Sequence, residues 1–289
     1  MKHTIPAMQS TYRELMRSGT EILTSAGVTD TPYLDALLLL CRSSGKTREK
    51  MLASLPDQVD KEIITEFHKL LAIRETGKPI AYILKNKEFY NHDFYVDERV
   101  LIPRPDTELL VETALDLYKC GLPDNSILDL CTGSGCVGIS LQAEIPEAEI
   151  SLGDISPAAL EVSSINSQKI LGKELPLYHS DLLESIPGPF SLIASNPPYL
   201  TLDECLQEDL AARGEPENAL AAGNDGLDII RRLALQGFAK LRKKGYLVIE
   251  CGFDQAQQVS EIMKTAGFVQ TEILKDLAGH DRVVMGSKE

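Results

Sequence analysis

The sequence predicts an α/β protein: a mostly parallel, seven-stranded sheet covered by helices, preceded by a small helical domain and a linking β-hairpin. Three observations predict it. From residue 126 onward, short apolar runs alternate with amphipathic stretches, the pattern of parallel strands joined by crossover helices. Residues 1–76 carry helical periodicity only. Residues 85–102 shift to aromatic and β-branched content, as a hairpin does.

Taken in order, Thr11 followed by Glu14 forms a capping box that opens a helix running to about Ala26. Thr31-Pro32 places a cap and an N1 proline ahead of D-A-L-L-L-L-C, and Gly45 suits the far end. Ile63, Ile64, Phe67, Leu70 and Leu71 recur at helical spacing before Gly77 closes a third helix. These helices define a domain over residues 1–84, and a hairpin with Asn91-His92 in its middle forms the linker at 85–104. The remaining domain, 105–289, opens with a helix at Pro105 or its neighbour, with acidic residues in its first turn. Its strand runs are 127–130, 150–154, 175–179, 192–195 and 246–250, with a helix near 226–243 before the last. Two late runs, 268–274 and 282–286, have no helix between them and predict a terminal antiparallel pair.

Bulk composition narrows the function. A chain of 289 residues, 43% hydrophobic and 25% charged, is an ordinary globular protein with room for two domains. Its net charge is −14, with 29 Lys+Arg against 43 Asp+Glu, and a bare nucleic-acid binder would instead carry a basic stripe. The six cysteines are scattered without a C-x-x-C pair, which suits free thiols in a reducing compartment. No Cys/His cluster suggests a metal, no apolar run reaches 18 residues and no signal peptide is visible, so a cytoplasmic location without membrane contact is expected.

The chemistry begins at D-L-C-T-G-S-G-C-V-G-I, which follows the first strand and opens a helix. Gly133, Gly135 and Gly138 match G-x-G-x-x-G, which lets backbone approach a ligand beside a helix N-terminus. Alone, the match also fits a plain tight turn. Asp154 ends the second strand, 19 residues after Gly135, where it can accept both ribose hydroxyls; capping the next helix is the rival role, for which Ser156 also qualifies. Asp181, after the third strand, could accept from an adenine amino group. NAD and S-adenosylmethionine both present such a ribose. Asp129, just before the glycines, leans toward the sulfonium, because a carboxylate there would repel a pyrophosphate.

The run L-I-A-S then ends in Asn196-Pro197-Pro198-Tyr199, at the carboxyl edge where open α/β sheets bind ligands. Two prolines fix two φ angles and keep the residues before them out of the helical region. The result is a stiff ledge bearing two acceptors, the Asn196 side-chain oxygen and the Pro197 carbonyl, beside the flat face of Tyr199. Such a ledge can hold the two hydrogens of a planar –NH2 group while its nitrogen faces an electrophile. No Ser/His/Asp or Cys/His constellation competes, and no site histidine for hydride chemistry can be placed; His179 only ends a strand.

At these residues the chain resembles the HemK-like protein-(glutamine-N5) methyltransferases, which modify the Gly-Gly-Gln glutamine of peptide chain release factors. The resemblance covers nearly the whole length. It rests on G-K-P-I-A-Y-I-L (77–84), F-Y-N-H-D-F-Y-V (89–96), L-I-P-R-P-D-T-E (101–108), the glycine loop, N-P-P-Y, E-P-E-N-A-L-A-A-G-N-D-G-L (215–227), I-E-C-G (249–252) and D-L-A-G-H-D-R-V-V (276–284). N-P-P-Y alone is shared with nucleic-acid amino-methyltransferases. The resemblance implies a Rossmann-like class I methyltransferase domain that uses S-adenosylmethionine, and a helical domain that grips the release factor. It implies cofactor contacts from Cys131, Thr132, Gly133, Ser134 and Gly135, from Asp154 to the ribose, and from Asp181 and Leu182 near the adenine. Arg104 and Thr107 would line the cofactor side. Asn196 would stand at the junction of cofactor and substrate, Asn196, Pro197 and Tyr199 would be catalytic, and Asn196–Tyr199, including Pro198, would hold the glutamine amide. The chain departs from the pattern at Lys85, Asn91 and Cys131, where glycine is common, at Leu182, where a larger side chain often packs, and at His280, where arginine is common. The alternatives are a nucleic-acid amino-methyltransferase, against which the charge weighs, a cofactor-binding module without turnover and an NAD-dependent dehydrogenase.

Overall fold

The computed structural model describes residues 10–28, 30–207 and 214–289, so the first nine residues of the predicted helical domain lie outside the described residues. The chain forms two compact units that meet in sequence at Lys85 and Asn86.

The first unit holds α1 (Tyr12–Ser25), α2 (Pro32–Ser44), α3 (Arg48–Ala53), α4 (Lys61–Glu75) and α5 (Ile80–Leu84). The capping box is formed: Thr11 N donates to Glu14 Oε2 at 2.8 Å and Glu14 N to Thr11 Oγ1 at 3.3 Å. Thr31 stands at the N-cap of α2, but its hydroxyl donates to Asp35 Oδ1 at 3.0 Å and caps nothing, because the carboxylate one turn on is the stronger acceptor. Asp35 also takes Arg74 Nε at 2.8 Å, which ties α2 to α4. The short α3 and α5, of six and five residues, were not predicted, since neither is long enough to show a helical period.

Phe67 is fully buried at the centre of this unit among Leu23, Leu39, Leu40 and Met51. Its ring lies against the backbone of α1, where a Cβ on Gly19 would come within 2.6 Å of it. Phe67→Ala is therefore expected to cost about 3–5 kcal/mol, the usual price of a large core cavity. A drop of the matching size in the denaturant midpoint of the full chain checks it.

The second unit opens with the hairpin β1 (Lys87–Phe89) and β2 (His92–Phe94). Phe89 pairs with His92, so the turn is Tyr90-Asn91, with φ 47° and 60°, and not Asn91-His92. Two positive φ values in a two-residue loop give the turn whose twist matches the strands. The hairpin is also shorter than expected. Beyond it, Tyr95 N donates to Asn166 Oδ1 at 2.7 Å and Asn166 Nδ2 returns to Tyr95 O at 2.9 Å, so a side chain takes the place of a partner strand. A single 3-10 turn, Pro105–Thr107, leads into α6 (Glu108–Gly121).

Seven strands form the sheet: β3 (Ser126–Leu130), β4 (Glu149–Asp154), β5 (Leu177–His179), β6 (Phe190–Ser195), β7 (Leu241–Glu250), β8 (Val269–Lys275) and β9 (Asp281–Ser287). Their order is β5-β4-β3-β6-β7-β9-β8, with β3 to β7 parallel and β9 antiparallel to both neighbours. The expected strands and the terminal pair are all present, and the fold is that of a Rossmann-like α/β domain. α7 (Cys136–Glu144), α8 (Pro157–Leu171), the short α9 (Leu202–Gln207), α10 (Asp228–Lys240) and α11 (Ala256–Ala266) complete the unit. α10 ends earlier than expected: Leu241 pairs with Phe190 and begins β7, and an irregular stretch with Lys244 at φ 63° conceals the strand's polar start. Leu128, Ile193, Leu247 and Val284 of the sheet pack with Ile230, Leu233, Val259 and Met263 of α10 and α11. No described helix is long and apolar enough to cross a membrane.

Candidate active site

β3 leads out to β4 and β5 on one side, while β6 and β7 lie on the other, so the strand order reverses between β3 and β6. Open α/β sheets bind ligands at that point. Leu130 pairs with Ser195, and Ser195 Oγ donates to Leu130 O at 2.8 Å. The next residues, Cys131 and Asn196, thus leave the sheet side by side. The glycine loop and the proline ledge meet because two strands share a register.

A cavity of about 300 Å³ opens there, at the small end of the range for small-molecule sites. Its wall includes Arg104, Thr107, Asp129, Cys131, Thr132, Gly133, Ser134, Asp154, Asp181, Leu182, Asn196 and Pro198. Gly135, Pro197 and Tyr199 are not among the lining residues. Gly135 is the N-cap of α7, and Gly138 lets that helix close on the sheet: a Cβ there would stand 2.3 Å from Leu152 Cδ2 and 2.9 Å from Asp129 Cβ.

Three carboxylates border the cavity. Asp129, 1% exposed, accepts from the Thr132 hydroxyl at 2.6 Å and from Gly138 N at 2.8 Å, and burial pushes its pKa up to about 7. Asp154 accepts from Gly133 N on Oδ2 and from Ser156 N on Oδ1, both at 2.9 Å, and burial raises its pKa too. Ser156 caps α8 through Ala159 N, which leaves Asp154 to the cavity. Asp181 is shared with Arg232, at 2.8 Å. The Thr132 hydroxyl and the backbone amides of Gly133, Gly138 and Ser156 oppose burial by favouring the charged forms of Asp129 and Asp154, which when ionised give the wall a negative potential. That chemistry fits a cationic ligand rich in hydroxyls, such as an adenosyl sulfonium, and disfavours a pyrophosphate.

On the ledge, Asn196 Nδ2 donates to Thr107 Oγ1 at 3.2 Å. Pro197 is buried and Pro198 half-buried. The Tyr199 hydroxyl lies 3.4 Å from Glu250 Oε1, its carbonyl accepts from Gln255 Nε2 at 2.9 Å, and its ring packs on the core. The Tyr199 ring is thus seated in the protein beside the cavity rather than on its wall. His179 is exposed and contacts Ile155 O at 3.0 Å. Among the described residues, no three His, Cys, Asp or Glu side chains gather as a metal ion would need.

Sequence reasoning gave no role to Glu215 or Glu250. Glu215, 7% exposed, accepts from Ile102 N at 3.2 Å and from Arg104 Nη2 at 2.7 Å, pinning the 214–222 segment against the cavity mouth. Glu250 ends β7 in I-E-C-G, at the same sheet edge as Asp154, and that position was the available signal.

The PrmC N-terminal domain family matches residues 14–84, and the Methyltransferase small domain family matches residues 105–212. A release factor glutamine methyltransferase of Vibrio cholerae is 36% identical over 96% of this chain and 97% of its own length. One from Bordetella pertussis is 37% identical over 88% of this chain and 94% of its own. The chain belongs to the release factor glutamine methyltransferase family. Among solved structures, the catalytic domain of hMettl16 in complex with an RNA hairpin superposes with a TM-score of 0.56 at 14% identity, covering 76% of this chain and 82% of that one, a likeness of fold alone. Lys85, Asn91 and Cys131, three positions at which the resemblance leads one to expect glycine, have φ of 53°, 60° and 58°, and Leu182 has 49°. Each sits in the left-handed region that glycine enters without strain.

Proposed function

We propose that this chain transfers the methyl group of S-adenosylmethionine to the side-chain amide nitrogen of the glutamine in the Gly-Gly-Gln motif of a peptide chain release factor. The observation that carries the proposal is the placing of Asn196, on its proline ledge, one strand across from the glycine loop in a chain of this family. The donor supplies an electrophilic methyl carbon on a positively charged sulfur.

The chain's own residues do the rest. The Cys131–Gly135 loop, with Cys131, Thr132, Gly133, Ser134 and Gly135, would offer backbone to the donor; Asp154 would take its ribose, Asp181 and Leu182 would flank its adenine, and Arg104 would border it. The Asn196 oxygen and the Pro197 carbonyl accept the two hydrogens of the glutamine amide, whose lone pair is otherwise delocalised and weakly nucleophilic. Rigid acceptors hold that nitrogen in line and stabilise the charge it develops. Pro198 stiffens the ledge, and Tyr199 steadies it from beneath. The helical unit supplies grip on the release factor, and the reaction takes place in the cytoplasm. A net charge of −14 speaks against direct binding of nucleic acid.

Mass spectrometry of a release factor incubated with the protein and labelled donor tests this reading. One added methyl on the motif glutamine is the expected result. Label in RNA or DNA and none in the release factor would overturn it. A second prediction concerns the cavity mouth. Glu215→Ala frees Arg104 and leaves Ile102 N unpaired, and Arg104 is 42% exposed, so solvent makes up part of the loss. Donor affinity is expected to fall about tenfold, equivalent to about 1.4 kcal/mol, by calorimetric titration.

A further inference from the structure

We infer that Asn166 is a positioning residue for the methyl donor: its buried side-chain amide fastens the Tyr95–Arg104 segment, a strap that walls part of the cavity, to the glycine loop at Ser134. The inference deepens the donor half of the proposed reading and rests on it.

The strap follows the hairpin and is docked along α8. Lys169 Nζ donates to Asp93 O at 2.7 Å just before it, and Arg99 Nη1 donates to Glu161 Oε2 at 2.9 Å within it. Between these points the Tyr95 hydroxyl donates to Asp97 Oδ2 at 2.8 Å, and Arg99 Nε and Nη2 reach the two oxygens of Asp97, each at 2.8 Å. Arg99, Val100, Leu101, Pro103 and Arg104 then line the cavity, and so do Cys131 to Ser134 of the glycine loop. A ligand that fills this cavity therefore touches both the strap and the loop.

Lys169 is exposed and the Glu161 side chain is 70% exposed, so solvent competes for both tethers. Asn166 is different. It is 0% exposed, its Oδ1 accepts from Tyr95 N at 2.7 Å, and its Nδ2 donates to Tyr95 O and to Ser134 O, both at 2.9 Å. A backbone N–H only donates and a carbonyl only accepts, so this amide has one orientation, and reversing it breaks every one of these bonds. Its two carbonyl partners belong to different segments, so one side chain holds strap and loop together. The loop has no room to retreat from α8, since a Cβ on Gly135 would stand 3.0 Å from Ser163 Cβ. With the strap away from α8, the cavity keeps the loop and loses a wall. A donor then binds the docked form more tightly, and by reciprocity it holds the strap down by the same factor.

The test is hydrogen exchange of the full chain with and without S-adenosylhomocysteine, read at the Tyr95 amide by NMR. In the wild type, saturation is expected to slow exchange at Tyr95 about tenfold beyond any change at the Glu149 amide. Glu149 N bonds to Asn125 O at 2.9 Å at the start of β4, the end of that strand away from the cavity. Asn166→Ala is expected to raise the calorimetric Kd of S-adenosylhomocysteine by the same factor, about tenfold. In that variant the Tyr95 amide has lost its acceptor, and its exchange is expected to ignore the ligand. A side chain that only stabilised the fold would leave Tyr95 and Glu149 responding alike in the wild type. That result, or wild-type affinity in Asn166→Ala, would overturn the inference, and where the variant does not fold the wild-type exchange decides alone. If release factors stay unmethylated while S-adenosylhomocysteine binds, the proposed function fails and Tyr95 still decides this point. A wild type that binds no S-adenosylhomocysteine overturns both.

Discussion

Asn196→Ala is expected to lower methyl transfer to the release factor by about 10²–10³-fold, the usual cost of removing one preorganised polar group from a transition-state site. Donor binding is expected to stay within about threefold, because two of the cavity's carboxylates, Asp129 and Asp154, are held by Thr132, Gly133, Gly138 and Ser156, Asp181 by Arg232 and Arg104 by Glu215, and none of them depends on Asn196. The ledge itself survives the change, since Pro197 and Pro198 set the backbone whatever side chain precedes them. The acceptor is lost, together with the bond from Asn196 Nδ2 to Thr107 Oγ1. Single-turnover rates by mass spectrometry, paired with calorimetric titration of the donor, separate the two effects. A variant that turned over at the wild-type rate would remove the ledge from the mechanism.

The parts of this site that lie within one segment were legible in the sequence. The glycine loop and the proline ledge announce themselves through residue types whose backbone constraints are intrinsic, and the alternation of apolar runs puts both at the carboxyl edge. The supports of the ledge were not legible as such. Thr107 meets Asn196 across 89 residues, and Arg104 meets Glu215 across 111, and no local pattern records a pairing at that distance. Tyr199 shows the boundary well. Its place in the motif is plain, yet its hydroxyl meets Glu250 from β7 and its carbonyl meets Gln255 from the turn after it. The hairpin fails for a different reason: Tyr90 is a poor turn residue by type, so the reading slid one position on, to Asn91-His92.

Gly226→Ala is expected to damage both the fold and the reaction, from outside the cavity. Gly226 has φ +71°, and a Cβ there would stand 2.3 Å from the Tyr199 carbonyl oxygen and 2.6 Å from Gln255 Nε2, two atoms bonded to each other at 2.9 Å. The left-handed backbone alone costs an L-residue about 1–2 kcal/mol, and forcing atoms apart in a packed site adds about 1–3 kcal/mol. The colliding atom is backbone, so rotation of a side chain cannot relieve it; the Tyr199 peptide must move, and the stiff ledge moves with it. A shift of about 1 Å at a positioned nucleophile is enough for roughly 10²-fold in rate. Gly172→Ala is the control, because Gly172 has φ +68° with nothing within 4 Å of the added carbon, at the far end of α8. Gly172→Ala is expected to lower the denaturation midpoint and leave methyl transfer intact, whereas Gly226→Ala lowers both. Equal behaviour of the two variants would mean that strain at the glycine, and not the seat of Tyr199, accounts for the loss.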